Sequence, residues 1–275
     1  MSAGPTVLLS FDIEEFDMPL EYGKNISIEQ QLEISARGTQ IILDILKANN
    51  VKATFFSTVV FANHADALIR RLVEDGHELA SHGYYHSSFE VKHLLNSRLS
   101  LEKIGSTRIT GFRMPRMKPV DDLEIQRAGY TYNSSLNPTY LPGRYNNFNK
   151  PRTIFRESEV LQVPASVTPF FRFPLFWLSF HNLPLPLYQA ACERTVKKDC
   201  YLNIYFHPWE FTDLSDEKLG MPWFVKKNSG QQMINRFADT ISWMKGKGYQ
   251  FSRINSYLEA SANVPRNPEN GRSRS

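Results

Sequence analysis

The chain has 275 residues, 41% hydrophobic and 22% charged, with a formal net charge of +4. That is an ordinary globular composition, long enough for one large domain or two small ones with a substantial core. No run approaches the ~20 consecutive apolar residues of a membrane-spanning helix, and Lys and Arg are scattered rather than gathered into the basic stripe that nucleic acid requires.

TVLLSFDI (6–13) is apolar and follows Pro5, which predicts a strand. The N-terminal stretch has no basic region and meets an acid at Asp12. It therefore reads as part of the fold rather than a secretory leader, and the expected compartment is the cytoplasm. Ser27 and Gln30 form a capping box opening an amphipathic helix to about Lys47. KATFFST (52–58) is a second strand, ADALIRRLVEDGH (65–77) a helix that Gly76 ends, and HELAS (77–81) a short third strand. A helix over about 90–104 precedes the strand TGFRMP (110–115), and DDLEIQRAGY (121–130) reads as a helix running into a strand near Tyr130. Residues 133–152 form a long irregular loop rich in Asn, Pro, Gly and Ser, a length that often serves function. Strands follow at 160–165 and 201–211, helices near 230–246 and 253–260, and 263–275 is a polar tail expected to be disordered. Residues 1–262 are expected to form a single domain. Cys192 and Cys200 have no Cys or His beside them and read as reduced core thiols.

Repeated strand–helix–strand units predict an α/β fold around a parallel sheet. The polar clusters FDIEEFD, SHGYYH and FRMPR all fall at or just after strand ends, where parallel barrels build their sites. Asp12 and Glu14 stand two apart on an extended segment and so face the same way, with Glu15 opposite. One of these carboxylates with His82 and His86 suffices for a divalent metal with open positions. Two His and one acid form a recurrent hydrolytic zinc set that also suits cobalt, nickel, manganese or iron. A second carboxylate within reach can act as a base.

The ordered set FDIEE (11–15), SHGYYH (81–86), GFRMP (111–115) and YFHP (205–208) resembles the polysaccharide deacetylases of the NodB-homology type, carbohydrate esterase family 4. The lead-in DGHELASHGYYH is its most specific piece. The segments LQVPAS and YNSSLNPT resemble a bacterial subgroup associated with cell-surface glycan synthesis. The resemblance implies a distorted, incomplete (β/α) barrel and metal-dependent removal of an acetyl group from an N-acetylated sugar. It makes Asp12 the base, Arg113 the residue that holds it, and His207 the acid. Ile13 stands where the family commonly has a metal-binding Asp. A variant branch uses an acid one position later, which gives Glu14, His82 and His86 as metal ligands and Glu15 as the fallback. Tyr84, Tyr85 and Trp209 are candidates for sugar contact, and a backbone N–H of the Tyr84–Tyr85 turn for the oxyanion.

Phe170, Phe171, Phe173, Phe176, Trp177 and Phe180 crowd one segment, broken by Pro169 and Pro174. They read either as barrel-closing core or as a patch, residues 167–180 with Arg172 as anchor, touching the inner face of a membrane. The expected substrate is then a glycan or its lipid-linked or nucleotide-linked precursor, with no nucleic-acid partner. Two other readings remain open: an amidohydrolase of small cyclic or linear amides on the same fold, and a non-catalytic glycan-binding relative, suggested by Ile13.

Overall fold

A computed structural model describes residues 4–143 and 145–261; the expected disordered tail lies outside the described residues. Strand β1 (Thr6–Ile13) is followed by α1 (Met18–Glu21) and α2 (Ile28–Ala48). β2 (Thr54–Ser57), α3 (Val59–His64), α4 (Asp66–Glu74), β3 (Glu78–Ser81), α5 (Lys92–Gly105), β4 (Gly111–Phe112), α6 (Asp122–Arg127) and β5 (Tyr132–Asn133) continue the alternation. β6 (Tyr140–Leu141) and β7 (Tyr145–Asn146) form a small separate antiparallel pair inside the segment expected to be irregular. Then come β8 (Phe155–Glu157), β9 (Val160–Gln162), α7 (Trp177–Asn182), α8 (Leu185–Asp199) and β10 (Tyr201–Phe206). A 3₁₀ turn at Pro208–Phe211, α9 (Trp223–Lys226), α10 (Gln231–Gly246), β11 (Gln250–Ser252) and α11 (Ile254–Ala260) complete the described chain.

The main sheet runs β10-β1-β2-β3-β4-β5-β9-β8, with β11 also paired to β1. Every neighbouring pair in it is parallel except β8 with β9. β1 lies between β10 and β2 and is buried from Val7 to Ile13, because helices cover its outer face and the barrel interior its inner face. The sheet curls but does not close by a strand ladder. The gap between β9 and β10 is stitched by Asn203, whose Nδ2 donates to the carbonyls of Val163 and Pro164 (3.2 and 3.1 Å). Its carbonyl also accepts from Ser166 N at 2.9 Å. This is the distorted, incomplete barrel that the alternation of elements and the resemblance led us to expect.

The predicted capping box exists: Ser27 Oγ accepts from Gln30 N, and Gln30 returns the bond to Ser27 N. Two predicted strands are shorter than expected. TGFRMP pairs only through Gly111 and Phe112, and 201–211 leaves the sheet after Phe206, because Pro115 and Pro208 each open a 3₁₀ turn. α2 lies against the second of these turns. A Cβ at Gly38 would stand 1.9 Å from the Pro208 carbonyl oxygen, so only glycine permits this approach. Cys192 is buried as expected, but Cys200 is exposed, because it caps α8 in a left-handed conformation at φ +64°.

Candidate active site

A cavity of about 340 Å³ opens at the C-terminal ends of the parallel strands. Asp12, Glu14, His82 and His86 line it from one side, and Trp177, Tyr205, His207 and Trp209 from the other. β1 delivers Asp12, and Glu14 follows the strand by one residue, so the two carboxylates share the cavity face as their spacing predicts. Ile13, between them, points into the apolar core. Glu15 is used elsewhere: it accepts from Thr58 Oγ1 at 2.6 Å and from His86 N at 3.2 Å, and so fastens the histidine loop to β1.

Glu14 Oε2 lies 2.9 Å from His82 Nε2 and 3.2 Å from His86 Nε2. Gly83, at φ +83°, turns the chain so that both rings face the same carboxylate. The far nitrogens also stand close to oxygens. His82 Nδ1 meets the Arg113 carbonyl oxygen at 2.9 Å, and His86 Nδ1 lies 2.9 Å from Asp17 Oδ1. A carbonyl only accepts, so His82 carries its proton on Nδ1, and a neutral ring turns the Nε2 lone pair toward Glu14. Buried acceptors facing one another require a positive species between them. The donor set itself, two imidazoles and one carboxylate with atoms within 4.8 Å of one another, is a candidate cluster for a divalent metal, and the carbonyl and carboxylate behind the imidazoles are the outer contacts such ligands use. Burial pushes the Glu14 carboxyl up, but His86 and His82 outweigh it and bring it down to about 2. Burial likewise opposes charge on His86, and the Glu14 and Asp17 carboxylates overcome it, raising that ring to about 9.

Beside this cluster, Arg113 is wholly buried and donates to Asp12 Oδ1 at 2.6 Å. Its remaining donors reach the Ser134 carbonyl at 3.0 Å, Ser134 Oγ at 2.9 Å and Ser10 Oγ at 3.0 Å. Its guanidinium lies over the Phe56 ring at 4.0 Å. A buried cation with this many partners fixes one orientation of Asp12. Across the cavity, His207 Nε2 stands 4.0 Å from Asp12 Oδ2, and its Nδ1 lies 3.0 Å from Glu210 Oε1. Trp209 stacks behind the imidazole at 4.8 Å, and Trp177 meets it edge-on at 5.5 Å. Burial disfavours the charged ring, but the hydrogen bond to Glu210 and the carboxylates of Glu14 and Asp12 raise it above its ordinary value.

The family model described as polysaccharide deacetylase matches residues 3–133. Solved structures share the fold at low identity. A Mycobacterium smegmatis protein named as a polysaccharide deacetylase is 17% identical at TM-score 0.67, covering 100% of this chain and 96% of its own. A Pseudomonas aeruginosa PAO1 protein named likewise is 13% identical at TM-score 0.63, covering 92% and 89%. A family 4 acetyl xylan esterase from Clostridium thermocellum, in complex with a cobalt ion, is 17% identical at TM-score 0.51, covering 94% and 93%.

Six residues singled out in the sequence thus meet around one cavity: Asp12, Glu14, His82, His86 and His207 on its wall, and Arg113 behind Asp12. The three aromatic candidates sit differently. Trp209 lines the cavity but is 1% exposed, sandwiched between His207 and Phe16. Tyr84 and Tyr85 stay off the cavity wall and pack against each other and His93. Sequence reasoning passed over Asp17, Glu210 and His181. Asp17 stands inside FDIEEFD, and Glu210 lies three residues after His207 in HPWE, a spacing that would have marked it. His181 had no local signal beyond its aromatic neighbours.

Proposed function

We propose that this protein is a metal-dependent carbohydrate N-deacetylase that removes an acetyl group from an N-acetylated sugar. The observation that carries the reading is the Glu14–His82–His86 cluster beside an Arg-held carboxylate and facing a histidine across one cavity. Glu14, His82 and His86 would hold a divalent cation, zinc before cobalt, nickel, manganese or iron; when bound it supplies Lewis acidity, polarising the acetamide carbonyl and acidifying a water.

Asp12 takes the proton from the attacking water, because Arg113 holds its carboxylate in one orientation and leaves Oδ2 turned to the cavity side, toward His207. His207 enters the reaction charged. Glu210 accepts from Nδ1, so the proton on Nε2 is the one delivered to the leaving amine nitrogen. Water adds to the acyl carbon, the C–N bond breaks, and acetate and a free amino sugar result. Trp177 and Trp209 fix the imidazole plane, and their apolar bulk limits water around it. Ile13, which raised the possibility of a non-catalytic relative, carries less weight once Glu14 stands in reach of both histidines.

Residues 1–262 would form the catalytic domain and work in the cytoplasm on a glycan, or on its nucleotide-linked or lipid-linked precursor. The lipid-linked form draws support from the turn at 167–174. Phe176 and Phe180 are buried, so part of the aromatic segment is core, but Phe170 and Phe171 are 82% and 88% exposed. Arg172 braces the turn on the Pro138 and Lys150 carbonyls, and residues 160–192 contain no Asp or Glu.

The test is acetate release from N-acetylglucosamine oligosaccharides by zinc-reconstituted protein, set against cyclic imides and ureides. Release from the sugars, lost on chelation and restored by metal, is expected. Turnover of the imides alone would move the reading to the small-amide hydrolases. Sugar binding without turnover at any metal loading would leave a glycan-binding protein.

A further inference from the structure

Glu210 does not end at His207. Its second oxygen, Oε2, lies 2.8 Å from His181 Nε2, and both side chains are wholly buried. His181 Nδ1 in turn lies 2.8 Å from the Lys227 carbonyl oxygen. A carbonyl oxygen only accepts, so Nδ1 carries a hydrogen. If that were the ring's only hydrogen, Nε2 would turn a lone pair on a carboxylate at 2.8 Å, too close for a water to lie between them. A proton must therefore lie between His181 and Glu210. Glu210 Oε1 already receives two donors, the backbone N–H of His207 at 2.6 Å and the His207 ring. A carboxylate serving three donors on two oxygens is satisfied as an anion, which leaves the shared proton on the imidazole.

We propose that His181 is a positioning residue for His207: an imidazolium, doubly protonated while the protein is folded, that makes the Glu210–His181 pair electrically neutral. Glu210 then orients the acid ring without imposing a full uncompensated charge on it. In a low-dielectric interior that distinction is large, because a lone carboxylate beside His207 would hold its proton too tightly to give it to an amine. The other charged groups facing this line, among the described residues, do not substitute for His181. Asp12 and Glu14 approach from β1 across the cavity. Tyr188 of α8 is a buried phenol, and Arg236 of α10 is bound to the Phe180 and Leu183 carbonyls. Lys227 offers its carbonyl inward and keeps its ammonium over the Trp223 ring at 4.8 Å. α7 presents His181 to this line from the aromatic segment, so one face of that segment packs the core while its histidine supports the acid. The role in proton delivery rests on the deacetylase reading; the protonation state does not.

Two measurements test it. In ring-nitrogen NMR of the intact zinc-loaded protein at neutral pH, both nitrogens of His181 should show imidazolium shifts. A lone-pair nitrogen signal on that ring overturns the proposal, whatever the substrate proves to be. In pH profiles of kcat/KM, His181→Gln keeps a donor for Glu210 but removes the charge, so the alkaline limb set by His207 should move up by on the order of one pH unit. Glu210→Gln should move it down, and the double variant should match Glu210→Gln, since His181 acts only through Glu210. A His181→Gln profile lowered equally at every pH with the limb in place shows a packing role alone and rejects the proposal, as does an upward shift that persists in the Glu210→Gln background.

Discussion

The two walls of the cavity bring charge to it in opposite ways. The wall built by the ends of β1 and β3 gathers acceptors, Glu14, His82 and His86, with Asp12 pinned beside them by buried Arg113. The wall built by the end of β10 and by α7 is a row in which donors and acceptors alternate: His207, Glu210, His181 and the Lys227 carbonyl. Crowded acceptors can only be reconciled by a cation. An alternating row holds protons in place and needs no ion. The supports differ as well. Neighbouring parallel strands, in register at Asp12–Phe56 and Ser57–Ser81, hold the first wall directly. The second is assembled from a short helix, a 3₁₀ turn and the chain after α9. Sheet ends thus set the metal-type cluster, and packing of short elements sets His207.

Variants can break that comparison. The largest effect belongs to the acceptor wall: His82→Ala should drop bound zinc well below stoichiometric by elemental analysis and abolish acetate release, whereas His181→Gln should leave the zinc content intact. Asp12→Asn comes next, keeping the metal but lowering kcat/KM by about 10²–10⁴-fold, the range for loss of a general base. His207→Asn should cost about 10²–10³-fold and erase the alkaline limb of the profile. The sign follows from its raised titration: the acid form persists to higher pH than in a free imidazole, and wild-type activity falls as pH rises through that elevated value. Should His207→Asn instead release the metal, the two walls would not be separate devices. Arg113→Met strands Asp12 without its buried partner and should lower stability by about 3–5 kcal/mol, read from urea denaturation. The smallest effect on the fold is expected at the exposed turn, where Phe170→Ser with Phe171→Ser should change stability by within about 0.5 kcal/mol and leave turnover of soluble sugars unchanged. That double variant should still lose flotation with anionic vesicles; wild type that does not float would remove the membrane contact.

Much of the first wall was legible because its residues are local. His82 and His86 lie four apart after a strand, and Asp12 and Glu14 two apart at another, so strand periodicity alone turns each pair the same way. The resemblance already named Glu14, with Glu15 as the fallback; the structure adds that Glu15 is tied to Thr58 Oγ1 and His86 N. The aromatic segment could not be resolved from composition, since the same residue types serve core and surface. Phe180 is buried and Phe171 is not, because the Val167–Pro174 bridge turns the intervening residues outward while α7 packs inward.

The sequence by itself determined the alternation of strands and helices, the parallel sheet it implies, and which clusters would stand at its C-terminal edge, since apolar periodicity and capping act over a few residues. Only the tertiary structure decided that His181 meets Glu210 across 29 positions of chain, that Tyr84 and Tyr85 stay off the cavity wall, and that Trp209 supports His207 from behind. Those contacts arise from how α7 and the 208–211 turn pack against the ends of the strands. Such packing depends on the whole core at once and leaves no period in the chain.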